Sequence, residues 1–193
     1  LENKLSVKYV GSTKNIIDWD AVIKNIVPKS GDFNTPNTVT DRVNSDPNAI
    51  LSDYDNIMNT WKSADYNFAH IEWYDYYPGE HFDFEVQDKF AELVNAKPKR
   101  VFVSEVWPGY SVPYHWDVED NEQQWLSEGR LVRFVCFMQK SEFGHVFILD
   151  KEPFYNVPQH EVYEWGHYRN FHSGSNSGVE PYYLFHFLGI AND

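Results

Sequence analysis

The spacing of hydrophobic positions changes near residue 67, from a helical period to a strand-like one. Ile16, Trp19, Val22, Ile23 and Ile26 share one face of a helix predicted from Ile16 to about Val27. Asn15 stands at its cap position, and Pro28 and Gly31 follow its end. Ile50, Tyr54, Ile57, Met58 and Trp61 make the stripe of a second helix, opened by Asp46-Pro47. Residues 28–46, rich in Pro, Asn, Thr, Ser and Asp, read as loop, and residues 1–10 as an edge strand. Phe68 to Tyr77 alternates as a strand closed by Pro78-Gly79. Asp83 then opens a third helix to about Val94, buried through Val86, Phe90, Leu93 and Val94 and stopped by Lys97-Pro98. From Arg100 onward the pattern is short strands and turns, with strands at 100–107, 113–118, 131–140, 144–150, 160–165, 168–173 and 181–190. Helices first and strands afterwards predict a mainly β (α+β) domain spanning 1–193. It is a β-sandwich or jelly roll built from 100–193, with 1–99 as helical and edge-strand support packed outside.

Composition narrows the partners. Sixteen Lys and Arg against 29 Asp and Glu leave a net charge of −13, which repels phosphate backbones and argues against nucleic acid. No apolar run approaches the ~18 residues of a membrane span, and no basic start precedes an apolar secretory segment. A cytoplasmic location is the default expectation. A single cysteine, Cys136, excludes an internal disulfide framework and a cysteine-ligated zinc. Aromatics at 18% of residues, often beside Gly or Pro, favour a strand-rich core with wide pockets.

One stretch carries chemistry: Val106-Trp-Pro-Gly-Tyr-Ser-Val-Pro-Tyr-His-Trp-Asp-Val118. His115 and Asp117 are two apart in a predicted strand, so an imidazole and a carboxylate point to one side. These are two of the three ligands of a mononuclear Fe(II) centre of the 2-His-1-carboxylate type. Of the remaining histidines, His172 ranks first as the third ligand. It ends a predicted strand before the Ser-Gly-Ser-Asn-Ser-Gly turn, at the mouth of the barrel. His167 has the opposite parity, and His186 sits within an apolar strand as a core or supporting histidine. His81-Phe82-Asp83 is a second His-x-Asp, but Asp83 is better read as a helix cap. His70, His145 and His160 read as structural. Cys136 alternates with Phe134 and Met138 and reads as a small buried apolar residue.

Pro108-Gly109, His115-x-Asp117, Arg133, Trp165-Gly166, His172 and a closing apolar strand, in that order, resemble the 2-oxoglutarate/Fe(II)-dependent oxygenases. The likeness covers about residues 100–190 and is greatest to the aspartyl/asparaginyl β-hydroxylase-like branch. It implies a double-stranded β-helix, with Fe(II) held by His115, Asp117 and His172. It further implies 2-oxoglutarate and O2 as cosubstrates, and hydroxylation of a peptide side chain or a small amino-acid-like metabolite. The family usually has an Arg or Lys about ten residues after the distal histidine, against the C5 carboxylate of 2-oxoglutarate. Here Tyr182 and Tyr183 stand there, and no Lys or Arg follows Arg169. The branch's Arg-x-His is Arg133-x-Val135. Arg133 lies in an otherwise apolar strand, where a guanidinium needs an anionic partner. A bound dicarboxylate would supply one, with Tyr182 assisting and Arg169 in reserve; a structural ion pair is the alternative. The missing final-strand cation leaves two rival functions, a non-catalytic metal- or ligand-binding jelly roll and a cupin-like metalloenzyme that does not use 2-oxoglutarate.

Overall fold

The computed structural model describes residues 7–30, 37–38, 72–117, 119 and 121–192. The expected second helix lies outside these residues, as does His70.

Strands β1 (Lys8–Ser12), β2 (Asn37–Thr38), β3 (Glu72–Tyr76), β4 (Ala96–Val106), β6 (Leu131–Phe137), β9 (Glu161–Glu164) and β11 (Tyr182–Ala191) form one sheet, in the order β1-β9-β6-β11-β4-β3-β2. Strands β5 (Ser111–His115), β7 (His145–Leu149), β8 (Glu152–Phe154) and β10 (His172–Asn176) form a second, in the order β5-β10-β7-β8. Every pairing between these strands is antiparallel. From β4 onward the chain passes back and forth between the sheets, with β7 and β8 together in the small one, which is the winding of a jelly roll, or double-stranded β-helix.

Alternation along β6 shows how the sequence builds the layers. Val132, Phe134 and Cys136 face outward into a cluster with Trp19, Ile26, Phe90, Phe185 and Phe187, which seals helices onto the large sheet. Val135 and Phe137 face inward and meet Phe147, Leu149, Trp165, Tyr182 and Leu184 between the sheets. A shift by one residue would exchange these two sets, so the apolar pattern on both faces fixes the register. The Cys136 thiol is fully buried beside Thr13 Oγ1 at 3.7 Å, and burial pushes its pKa up to about 12. A thiol reagent at pH 8 should therefore leave it unmodified until denaturant is added, and rapid labelling of the folded protein would contradict this packing.

Three helices occur among the described residues. Helix α1 (Trp19–Ser30) starts three residues later than the sequence predicts, because Asn15 adopts a positive φ of 67° and the side chain of Asp18 accepts the Ala21 N–H instead. Ile16 is consequently left exposed, while Trp19 and Ile26 are fully buried. The helix also runs past Pro28, where one missing N–H near the end costs a single bond. Helix α2 (Phe84–Val94) matches the third predicted helix. It ends at Asn95, left-handed at φ 50°, and its N-cap Asp83 makes no side-chain capping bond. Helix α3 (Glu122–Glu128) was not legible in the pattern. Its Trp125 packs against Leu131, Leu188 and Ile190. Strand β4 begins at Ala96 and passes Pro98, four residues earlier than predicted, because it pairs with β11 along its length through an irregularity at Leu188/Gly189. No helix among the described residues is long and apolar enough to cross a membrane.

Candidate metal centre

The turn Trp107–Tyr110 carries the chain from the large sheet to the small one. Gly109 makes it possible with a φ of 86°, and its N–H donates to the Asn176 carbonyl at 2.7 Å. Strand β5 follows and ends at His115; Asp117 lies just past the strand end, not within it as its parity suggested. The strand predicted at 168–173 is displaced: β10 starts at His172 and continues through Ser173-Gly-Ser-Asn176, which the sequence marks as a turn. The backbone between β5 and β7 has pairing partners on both sides, and this outweighs the turn propensity of its small polar residues. His172 faces His115 directly across the β5–β10 pairing.

One ligand atom each from His115, Asp117 and His172 falls within 4.8 Å of the others. His115 Nε2 lies 3.3 Å from Asp117 Oδ1, and His172 Nε2 lies 3.7 Å from Asp117 Oδ2. The two imidazole centroids are 4.2 Å apart. All three residues are under 9% exposed. The His172 Nδ1 is 3.3 Å from the Asn170 carbonyl, which orients its Nε2 toward the group. Burial, with His115 and Arg133 nearby, holds His172 well below its ordinary pKa, so it is neutral and its lone pair is available. Burial by itself would raise the Asp117 carboxyl. Arg133 above all, then His172 and His115, more than offset this and hold it well below the usual carboxylate range.

Arg133 sits against Asp117, its Nη2 paired with Oδ2. Its guanidinium carbon lies 4.1 Å over the centre of the Trp165 ring, which also packs at 4.6 Å from the His172 ring. Arg133 is 2% exposed, and its Nε has no hydrogen-bond partner among the described residues. Tyr182 lies deeper in the core, stacked at 4.4 Å on His145. Arg169 is on the surface side, joined to Glu122 of α3. The structure thus brings His115, Asp117, His172 and Arg133 together and leaves Tyr182 and Arg169 apart from them.

A small cavity, of about 40 Å³, opens beside the trio. His115, Asp117 and His172 line it together with Val106, Val112, Phe147, Gly174 and Leu184 as apolar or small walls. Asp75, Arg100, Ser104 and His186 add polar groups. Arg100 is the residue that sequence reasoning passed over. It follows Lys97, Pro98 and Lys99 and reads as part of a solvated basic run, yet it shares the inward face of β4 with Phe102 and Ser104. Its Nη1 is 2.8 Å from Glu119, and its guanidinium lies 4.7 Å over the Phe102 ring. Burial works against its charge, but Glu119 and Asp117 more than compensate and raise its pKa. His186 is stacked on Phe102 and joined to Ser104 Oγ at 2.9 Å; burial, with Arg133, pushes its pKa down to about 3.

No family model matches the sequence, and no curated protein matches it. Solved structures do. A viral collagen prolyl hydroxylase of Paramecium bursaria Chlorella virus-1, in its 2OG complex, aligns over 96% of this chain and 96% of its own, with TM-score 0.53 and 13% identity. That likeness establishes a shared fold. A putative sugar phosphate isomerase of Acidithiobacillus ferrooxidans aligns over 51% of this chain with TM-score 0.34 and 13% identity; the chain spans 55% of that protein's length.

Proposed function

We propose that the chain is an Fe(II)- and 2-oxoglutarate-dependent oxygenase that hydroxylates an aliphatic C–H bond of a peptide side chain or a small amino-acid-like metabolite. The observation that carries this reading is the convergence of His115, Asp117 and His172 at the edge of a cavity between the two sheets. Two imidazoles and one carboxylate, gathered on one side, are a donor set suited to Fe(II) that leaves further positions for exogenous ligands. The fold shared with a prolyl hydroxylase solved with 2OG supports the same reading. Iron with 2-oxoglutarate and O2 would supply the oxidising chemistry, with succinate and CO2 as co-products of the hydroxylated substrate.

The chain's own part is positioning. His115 and His172 are fixed by their strand pairing, and Asn170 sets the orientation of His172. Arg133 holds one side of the Asp117 carboxylate, and Trp165 supports both Arg133 and His172. Phe147, Val106, Val112 and Leu184 make the cavity walls largely apolar, which limits water around the reacting atoms.

One observation favours a second reading, a metal- or ligand-binding jelly roll or a cupin-like enzyme without 2-oxoglutarate: no Lys or Arg occurs after Arg169. Anaerobic titration of the Fe(II)-loaded protein with 2-oxoglutarate separates the two. The oxygenase should develop a visible charge-transfer band, and on admission of air it should form succinate in an amount that depends on both iron and 2-oxoglutarate. Tight metal binding with neither signal would favour the second reading.

A further inference from the structure

We propose that Arg100 is the carboxylate-recognition residue of the cavity: it receives the distal carboxylate of a 2-keto dicarboxylic acid bound at the trio, and Glu119 occupies that place until the acid arrives. The inference rests on the oxygenase reading and specifies how its cosubstrate is selected.

Among the described residues lining the cavity, Arg100 is the cation. Arg133 stands behind Asp117 and is already paired with it, and Arg169 is engaged with Glu122. A ligand carboxylate entering this cavity would therefore meet Arg100 as its counter-charge. The partner that Arg100 has now is not part of a sheet. Glu119 lies two residues past Asp117, on the segment leading to α3, with its side chain 10% exposed. A guanidinium only 22% exposed is favoured by an anion beside it, and the fork accepts any carboxylate of suitable approach. Exchanging Glu119 for a ligand carboxylate preserves that pairing, whereas an uncharged ligand would offer nothing in return for displacing it.

A second observation is independent of Arg100. His186 is 4% exposed, lines the same cavity, and its Nδ1 has no hydrogen-bond partner among the described residues. Its Nε2 is joined to Ser104 Oγ at 2.9 Å. Buried polar groups left open toward a cavity indicate a polar occupant. Phe102 links the two features: the Arg100 guanidinium lies 4.7 Å over its ring, and His186 stacks on it at 4.7 Å.

The test compares 2-oxoglutarate with pyruvate, which has the same 2-keto acid end and no distal carboxylate. Binding of each to the full chain loaded with Mn(II) is measured by calorimetry, and to the Fe(II) form by the anaerobic charge-transfer band. Wild type should prefer 2-oxoglutarate by roughly 30-fold or more, the range expected for a buried charge pair. Arg100→Gln should reduce the preference to a few-fold with unchanged pyruvate and Mn(II) affinity. Glu119→Gln should tighten 2-oxoglutarate, because it removes the competitor and leaves the guanidinium in place. This second variant decides the matter even where Arg100→Gln does not fold. A structural ion pair would give the opposite result, with both variants weakening or leaving binding unchanged, and either outcome for Glu119→Gln overturns the proposal. Retention of the full preference in Arg100→Gln overturns it as well. If wild type chelates neither keto acid, the oxygenase reading itself fails and takes the proposal with it, a result distinct from loss of the Arg100 effect alone.

Discussion

Alanine at His115 or at His172 should lower affinity for Fe(II) or Mn(II) by more than about 100-fold, beyond the usual cost of losing a supporting partner, and abolish any turnover with it. In the proposed site each histidine would supply one of the three donors found among the described residues, and a single imidazole with one carboxylate would hold a divalent ion weakly. The two rings face each other across one strand pairing, so neither can take over the other's position by a rotamer change. His81 is the control. It is as buried as the trio, but its Nδ1 accepts the Tyr77 N–H at 2.9 Å, and it belongs to no metal-competent group among the described residues. Metal titration by calorimetry should find His81→Ala unchanged. Equal loss in all three variants would mean general destabilisation and not loss of a ligand.

Arg133→Met should cost the metal-free protein about 3–5 kcal/mol of folding stability, the range for removing one member of a buried ion pair. Asp117 would be left buried with its main counter-charge gone. The methionine would keep part of the contact with Trp165, so the loss would report charge more than volume. A divalent ion would restore the missing charge, and saturating Mn(II) should raise the variant's melting temperature by more than it raises that of wild type. Denaturant unfolding with and without Mn(II) measures both. A variant as stable as wild type without metal would show that Asp117 does not depend on Arg133.

The legible parts of this chain are those where apolar residues alternate on a face that has a partner. In β6 the outward Phe134 and Cys136 and the inward Val135 and Phe137 each meet a core, and the parity of Arg133 follows directly. The same reasoning placed His115 and His172 but misjudged how they are held. Asp117 lies past its strand because the chain has begun to leave the sheet, and the polar Ser-Gly-Ser of β10 forms a strand through neighbours remote in sequence. Helix α3 was hidden for a related reason. Its seven residues are anchored by Trp125 and by the Glu122–Arg169 pair, and both contacts are tertiary. Arg100 was readable in principle. Parity along β4 sets it with Phe102 and Ser104, but the adjacent Lys97 and Lys99, which pair with Glu128 on the surface, disguised it.

The two halves of the candidate metal centre differ in how firmly the backbone holds them. Strand β10 is hydrogen-bonded on both flanks, whereas β5, which carries His115 and leads to Asp117, forms the border of the small sheet among the described residues. A border strand can fray without unfolding the rest of the barrel, and such partial openings cost less free energy than global unfolding. Two of the three candidate donors would therefore share the fate of one border segment. An ion bridging β5 to β10 would act as a clasp, and its measured affinity would include the free energy of keeping that border closed.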